Sequence, residues 1–404
     1  MTEAFCILIH YHEIALKGKN RSWFERRLIK NIKRQLSGLP FTKVQLNAAR
    51  IFCFGIDESM WNDYAQRLKK VMGIKHAILM TQVKDDIDTI KSVAAAQLKG
   101  LEFSSFRVSA RRQYKDFHLS SQEINIMVGQ HLQSTYLKPV KLKNADMDVV
   151  IELVKGMAYI GHERIYGFGG LPVKTSEQAI SMISSGIDSP VSSFEMLKRG
   201  VELTYVHFHS APATSRQSIQ NVEEILTVLA GFQIQCRVYM VPLLEIQQKI
   251  MAVAPNKLWV ILFRRAMIKI ASMIAEQLDI PALISGESVG QVASQTLSNI
   301  RATADAADRP ILRPLAGLNK EDIIRIAEKI GTYEISIEPY DDCCSFFVPI
   351  HPETKADLET VRKIEGNIDF GDMFDVALND AAIKTIEHPD YIKKTVHSLE
   401  KVND

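Results

Sequence analysis

From residue 179 onward, short apolar segments alternate with amphipathic ones, and this alternation constrains the fold more than any other feature. The apolar segments have the length and composition of strands; they cover residues 179–184, 201–209, 235–243 and 281–286. Helical periodicity fills the intervals between them. Strands that alternate with helices form βαβ units, in which helices cover both faces of a mostly parallel sheet. This half is therefore predicted to be an α/β domain.

The segment SSGIDSP, residues 184–190, lies between the first of these strands and the next helix. Ser189 is predicted as the N-cap of that helix and Pro190 as its first residue. Open α/β sheets bind ligands at the carboxyl ends of their strands, and a helix N-terminus attracts anions. Gly186 allows a close approach of the backbone. The pattern predicts an anion site that is not a Walker A loop, because GxxxxGK[ST] is absent. A βα turn rich in small residues is the alternative.

Residues 1–175 have a different organisation and a different charge. Their predicted strands and helices are typical of two small α+β units, and a glycine-rich stretch at 167–178 is predicted to end them. They contain 27 Lys and Arg against 16 Asp and Glu, whereas residues 176–404 contain 22 against 31. This asymmetry predicts a polyanionic partner, such as a nucleic acid, for the first half.

Several classes of protein are disfavoured by the remaining features. No apolar run approaches the roughly 18 residues that a membrane span needs. The first residues lack the pattern of a signal peptide. The five cysteines form no CxxC motif, so neither a disulfide framework nor a zinc site is predicted. Cys6, Cys53 and Cys236 are predicted to be core residues. We therefore expect a cytoplasmic protein without a membrane partner.

Seven segments, in order along the chain, together resemble the tRNA 4-thiouridine synthetase (tRNA sulfurtransferase) family. One of them, SSGIDSP, resembles the pyrophosphate loop of ATP pyrophosphatases. The others are HEIALKGKNR (12–21), VSARR (108–112), VHFHSAPATS (206–215), SGESVGQVASQT (285–296), ILRPLAGLNKEDI (311–323) and PYDDCCSFF (339–347). Any one segment is a weak signal, but the ordered set is specific and spans residues 8 to 365.

The resemblance implies an N-terminal ferredoxin-like domain (1–60), a THUMP RNA-binding domain (61–166) and an adenylating PP-loop domain (175–404). It implies that ATP, with Mg²⁺, activates the C4 oxygen of uridine 8 in tRNA, and that persulfide sulfur then displaces AMP. A cysteine desulfurase or another persulfide donor would supply the sulfur. Family members are often homodimers, and some also supply sulfur for the thiamine thiazole. Larger members end in a rhodanese-like domain, which this protein is expected to lack.

The resemblance also assigns roles to individual residues. The nucleotide-binding residues would be Met182, Ile183, Ser184, Gly186, Asp188, Ser189, His207, Phe208, Arg264, Gly286 and Gln295. The catalytic residues would be Asp188, which would bind Mg²⁺ or orient the loop, Cys343 and, as the weaker choice, Cys344. The RNA-binding residues would be Lys17, Lys19, Arg21, Arg111, Arg112 and Lys115. No protein side chains are assigned as a dedicated metal site. From the sequence alone, Arg264 and Arg265 are about equally good candidates for a solvated helix face.

Three residues depart from the family pattern. Ser185 replaces the first glycine of the loop, and Lys174 and Glu177 stand where family members usually have glycines. These departures support an alternative, a tRNA-binding THUMP protein whose PP-loop domain has lost its adenylating activity. An enzyme that adenylates a small molecule is a second alternative, which the basic N-terminal half disfavours.

Overall fold

The computed structural model describes residues 4–114, 117–154, 156–339, 347 and 351–389. The described residues divide into two compact units that meet between Leu171 and Pro172. The strands and helices of unit 1 are β1 (Ala4–Tyr11), α1 (Arg21–Gln35), β2 (Lys43–Asn47), β3 (Arg50–Phe54), α2 (Trp61–Lys69), β4 (Ile74–Lys84), α3 (Ile87–Leu98), β5 (Phe106–Arg112), α4 (Ser121–Tyr136), β6 (Met147–Val154), β7 (Met157–Gly161) and β8 (Arg164–Tyr166).

Unit 2 continues the alternation that the sequence predicts. Its elements are β9 (Gln178–Met182), α5 (Asp188–Lys198), β10 (Glu202–His209), α6 (Gln217–Gln233), β11 (Gln235–Pro242), α7 (Leu244–Val253), α8 (Trp259–Gln277), β12 (Leu283–Ile284), α9 (Leu297–Ala304), β13 (Ile311–Leu312), α10 (Lys320–Ile330), α11 (Tyr333–Ser336), α12 (Leu358–Gly366), α13 (Met373–Asn379) and β14 (Ala382–Glu387). Short 3₁₀ turns precede several helices, among them Ala293–Gln295 before α9.

Unit 1 is built on one continuous sheet. Its path runs β2-β3-β1-β4-β7-β6-β5, and β8 pairs with β4 beside it. All pairs are antiparallel except β5 with β6. The central strand β4 pairs with β1 on one side and β7 on the other, so it joins the strands of the two predicted α+β units.

Unit 1 contains three apolar clusters of buried residues: one on its early elements, one on its later elements, and a third, with Cys6, Phe52 and Tyr159, that spans strands of both. The first packs α1 and α2 against the early strands through residues such as Leu28, Ile32 and Tyr64. The second packs α3 and α4 against the later strands through residues such as Ile124 and Val128. Each helix contributes an apolar stripe to the sheet, so the hydrophobic periodicity alone locates these contacts. The boundary at residues 60 and 61 remains a proposal.

Unit 2 contains the predicted parallel sheet, which confirms the α/β class. The strand order is β13-β12-β9-β10-β11-β14, and all pairs are parallel except β11 with β14. The largest core cluster packs α7 and α8 against one face, where Val206 and Val241 lie. Residues that alternate with them along a strand, such as Tyr205, point to the opposite face, where α5 and α6 contact β10.

The antiparallel edge strand β14 was not predicted from the sequence, and neither was β2. Both are short strands with few buried residues, so they lack the apolar pattern that marks the interior strands. Cys6, Cys53 and Cys236 are buried in the described structure, as predicted. Among the described residues, no helix is both long enough and apolar enough to cross a membrane.

Candidate active site

The loop between β9 and α5 is closed by its own serines. The Ser184 backbone N–H donates to Ser189 Oγ at 2.8 Å, and the same hydroxyl donates to the Ser184 carbonyl at 3.1 Å. The predictions of Ser189 as N-cap and Pro190 as the first helical residue are wrong, because α5 begins two residues before Pro190, at Asp188, with Ile187 as its N-cap. Ser189 instead fixes the loop that leads into the first turn. Ser185 is buried, and its backbone is outside the left-handed region, so serine at this position is not strained.

Gly286 brings the end of β12 against this loop. A Cβ at Gly286 would lie 2.8 Å from Ser189 N, 2.9 Å from Ser189 Cα and 3.0 Å from the carbonyl carbon of Asp188. Ser192 adds a hydrogen bond of 3.0 Å to the Ser285 carbonyl. The absence of a side chain at position 286 therefore lets two strand ends and the N-terminus of α5 meet at one point.

A cavity of about 290 Å³ lies at the carboxyl ends of β9, β10 and β12. It is lined by Met182, Ile183, Ser184, Gly186, Asp188, Ser189, His207, Phe208, Arg264, Met267, Ile268, Ser285, Gly286, Glu287, Gln295 and Ile311. The structure thus brings together every residue that the sequence assigned to nucleotide binding. The N-terminus of α5 at its wall places backbone N–H groups and the positive end of the helix dipole there, which suits phosphate groups.

Arg264 and Arg265 occupy different environments. Arg264 lines the cavity, and its Nη1 lies 2.6 Å from Glu287 Oε1. Glu287 is buried, and its other oxygen lies 2.6 Å from Nε of Arg313. Two guanidinium groups therefore compensate one carboxylate and leave a net positive charge beside the cavity.

Arg265 is instead buried in an ion-pair network. Its guanidinium lies 2.7 Å from Glu365 and 3.2 Å from Asp305, and it also donates to the Ala302 carbonyl. These contacts tie α8 to α9 and α12. The structure resolves the ambiguity that the sequence left open, because neither arginine is on a solvated helix face.

Asp188 has protein partners for both oxygens. Lys320 Nζ lies 2.6 Å from Oδ1, and Gln291 Nε2 donates to Oδ2 at 2.9 Å. Lys320 was not predicted as a site residue, although it lies in the NKED segment, where Asn319 caps α10. The sequence signal for Lys320 is its position in the first turn of a helix. A positive charge is unfavourable there unless a carboxylate or a ligand compensates it.

His207 is held neutral at the cavity wall. Its ring is buried, which lowers the pKa to about 4, although the Ile183 carbonyl 3.1 Å from Nδ1 acts in the opposite direction. A nitrogen that contacts a carbonyl must carry the proton, so Nδ1 donates and Nε2 is an acceptor. His207 therefore adds no charge to the cavity at neutral pH.

Other predicted site residues lie elsewhere. Cys343, Cys344 and Lys115 are outside the described residues. In unit 1, Lys19 and Arg111 are exposed, and Lys17 places Nζ 5.0 Å from the centre of the Phe24 ring. Arg21 and Arg112 are engaged in unit 1 itself: Arg21 Nε donates to Glu25 at 2.8 Å, and Arg112 Nη1 donates to the Phe117 carbonyl at 2.8 Å.

The fold and cavity of unit 2 define a class, the nucleotide-binding α/β domains in which a serine- and glycine-containing loop precedes a helix N-terminus. Comparison with known families narrows the class. Family models match for the ThiI ferredoxin-like domain over residues 6–77, the THUMP domain over 84–163 and the thiamine biosynthesis protein (ThiI) over 174–370. The predicted order of a ferredoxin-like, a THUMP and a PP-loop domain is confirmed.

Whole-chain relatives agree with the domain matches. A probable tRNA sulfurtransferase of Thermus thermophilus is 36% identical over 387 residues, which cover 96% of this chain and 95% of the relative. One from a Thermoanaerobacter species is 41% identical over 370 residues, which cover 90% and 95%. The chain belongs to the tRNA sulfurtransferase family.

Two solved structures share the fold over most of the chain. A 4-thiouridine synthetase in complex with RNA and bound ATP is 35% identical, with a TM-score of 0.86, and the match covers 95% of this chain and 100% of that one. A protein from Pyrococcus horikoshii Ot3 is 24% identical, with a TM-score of 0.61 and coverage of 81% and 99%, and it shows the fold alone.

Proposed function

We propose that this protein is an ATP-dependent tRNA sulfurtransferase that converts uridine 8 of tRNA to 4-thiouridine. One observation carries the proposal: every nucleotide-binding residue assigned from the sequence lines a single cavity at the carboxyl ends of parallel strands. The substrate class is supported by the family matches and by the 4-thiouridine synthetase structure.

The first chemical step in this proposal is adenylation of the uridine. The C4 oxygen attacks the α-phosphorus of ATP, and pyrophosphate leaves. The amides at the N-terminus of α5 hold phosphate oxygens, and Arg264 and Lys320 offset the charge that develops on them. Binding both reactants at one strand edge aligns the oxygen and phosphorus, which replaces a bimolecular encounter with a unimolecular step.

Asp188 is proposed to orient the loop rather than to act alone as a metal ligand. Both of its oxygens are already within hydrogen-bond distance of Lys320 and Gln291. Mg²⁺ typically keeps several waters and binds substrate phosphates with one or two carboxylates. When bound, Mg²⁺ would neutralise phosphate charge. Asp188 lines the cavity and would reach the ion after Gln291 or Lys320 shifts.

Sulfur transfer completes the proposed reaction. A persulfide sulfur attacks C4 and forms a C–S bond, while the C4–O bond breaks and AMP leaves with the oxygen. A thiol then cleaves the S–S bond, which releases thiouridine and leaves a disulfide that a further thiol reductant must reduce. We propose Cys343 as the reacting cysteine, Cys344 as the second choice, and a cysteine desulfurase or a separate carrier as the sulfur source.

The proposed partners follow from unit 1 and from the family. The THUMP match and the basic charge of residues 1–175 support binding of tRNA there. Lys17, Lys19, Arg21, Arg111, Arg112 and Lys115 remain the proposed RNA contacts. A homodimer, a cytoplasmic location and a second role in thiamine synthesis also remain proposals.

The proposal is tested by mass spectrometry of tRNA nucleosides in a strain that lacks the gene and carries variants of it. Asp188→Ala and Cys343→Ala are expected to abolish 4-thiouridine, whereas the exposed Asp380→Ala is expected to retain it. With purified protein, Asp188→Ala should lose tRNA-dependent pyrophosphate release, and Cys343→Ala should keep it. Thiolated uridine at the wild-type level in the Asp188 variant would overturn the mechanism.

The rival proposal of a non-adenylating THUMP protein loses one of its supports. Ser185 does not strain the loop, because its backbone is outside the left-handed region. Release of pyrophosphate from ATP that depends on added tRNA would exclude the rival directly.

A further inference from the structure

Asn299, near the start of α9, is a fully buried amide that joins two separate segments of unit 2. Its Nδ2 donates to the Ala293 carbonyl at 2.8 Å and to the Glu353 carbonyl at 2.7 Å. Its Oδ1 accepts from the Ala356 backbone N–H at 3.0 Å. Both amide hydrogens and the carbonyl oxygen are therefore used, and the partners are all main-chain groups.

The first of these segments belongs to the nucleotide cavity. The turn at Ala293–Gln295 carries Gln295, which lines the cavity. Gln295 accepts from the Ser288 backbone N–H at 3.3 Å through its side chain, and its own carbonyl accepts from Gly290 at 2.9 Å. Asn299 thus contacts the first residue of this turn, whereas Gln295 itself is held by Ser288 and Gly290.

The second segment is the chain that follows the cysteine pair in sequence. Thr296, the residue that caps α9, donates to the Thr354 carbonyl at 2.7 Å. The Glu353 backbone N–H donates to the Lys257 carbonyl at 3.0 Å, and their side chains form an ion pair of 3.2 Å. Phe347, three residues after Cys344, has its ring centre 6.3 Å from that of Phe263, the neighbour of Arg264.

We propose that Asn299 is a positioning residue that fastens the segment after Cys343 and Cys344 to the turn that carries Gln295, and so couples sulfur transfer to the adenylated substrate. The inference rests on the proposed function. Its physical basis is that an amide can donate to two carbonyls at once, whereas a carboxylate or an apolar side chain cannot. Misplacement of a reacting group by about 1 Å can lower a rate on the order of a hundredfold.

The test compares two products of the same reaction mixture. Asn299→Ala in the full chain is assayed with ATP, tRNA and a cysteine desulfurase with cysteine as the sulfur source. We expect tRNA-dependent pyrophosphate release to stay within about threefold of wild type. The yield of 4-thiouridine should fall about tenfold or more, because a misplaced reacting group lowers the rate of sulfur transfer. A purely structural role would lower both products by the same factor, since both would follow the folded fraction.

Control variants keep the test decisive. Asn221 is equally buried, accepts from Gln217 Nε2 at 2.7 Å within α6, and lies outside the cavity, so Asn221→Ala should leave the product ratio unchanged. If Asn299→Ala does not fold, Thr296→Val is the second variant: it removes the bond to Thr354 and the N-cap bond to the Asn299 backbone N–H. Thr296→Ser keeps the hydroxyl and should retain the wild-type ratio.

An unchanged ratio of thiouridine to pyrophosphate in the folded Asn299 and Thr296 variants would overturn the inference. A wild-type protein that yields neither product would instead overturn the proposed function.

Discussion

Gly286 and Ser189 are in backbone contact: the site that a Cβ on Gly286 would occupy lies 2.8 Å from the Ser189 nitrogen. We expect Gly286→Ala to push the β12 end away from α5 and to cost about 1–3 kcal/mol of stability, as overpacking does. Because the loop is part of the cavity wall, ATP affinity should fall more than tenfold. Isothermal titration and thermal unfolding measure the two effects.

Gly317→Ala is the matched control for this variant. A Cβ at Gly317 would meet no atom within 4 Å, and the backbone there is outside the left-handed region. Unchanged ATP binding in Gly286→Ala would show that the contact does not shape the cavity.

Lys174 has a positive φ of 71°, which a side chain disfavours. It also forms an ion pair of 2.6 Å with Glu202. Lys174→Gly and Lys174→Ala both lose that pair, so their difference isolates the backbone. We expect the glycine variant to be the more stable by about 1 kcal/mol. Urea denaturation measures the stability difference between the two variants. Equal midpoints would argue against a left-handed conformation at Lys174.

Arg264 and Arg265 are adjacent, yet their replacement should separate binding from stability. Arg265→Ala removes the buried guanidinium from Glu365 and Asp305, which still pair with Lys269 and Arg362, and we expect a loss of about 1–3 kcal/mol of stability. Arg264→Ala should change stability much less and weaken ATP binding about tenfold or more. Unfolding and ATP titration of both variants test this prediction. A larger loss of stability in Arg264→Ala, with a larger loss of ATP affinity in Arg265→Ala, would contradict the roles that we assign.

The ring of His207 should make unit 2 sensitive to acid. Burial lowers its pKa from 6.5 to about 4, so the folded state resists protonation while the unfolded state accepts it. The stabilising contribution is complete above pH 6.5 and is lost as the pH falls towards 4, on the order of 1–2 kcal/mol by pH 5.

The variant His207→Gln removes this titration. Between pH 7.5 and pH 5, the urea midpoint of this variant should change less than that of the wild-type protein. The change that persists in the variant comes from other buried histidines. Identical pH dependence in the two proteins would contradict a buried, neutral His207.

Lys19 and Arg21 are both proposed RNA contacts, but the structure predicts different effects for them. Lys19 is exposed, whereas Arg21 is bound to Glu25 at 2.8 Å and to the Tyr11 hydroxyl. A freely exposed lysine that meets a phosphate releases a counterion, so Lys19→Ala should reduce the slope of log K against log salt by about 0.7–0.9. Arg21→Ala should change the slope less. Filter binding of tRNA over a range of salt concentrations tests both.

The sequence by itself determined the α/β class and the position of the loop at a strand end. Strand and helix periods are local, and carboxyl ends of parallel strands must meet at one edge. The pattern at 179–209 therefore sufficed to place Ser184 and His207 side by side. The family matches give the same order of domains.

Only the tertiary structure decided which polar residues pair across that edge. Lys320 and Asp188 are separated by 132 positions, and no local period connects them. The same is true of Asn299 and Glu353, and of the choice between Arg264 and Arg265, which depends on where α12 brings Glu365. Local patterns identify a face of a helix or strand, but the partner that satisfies a buried charge or amide is set by long-range packing.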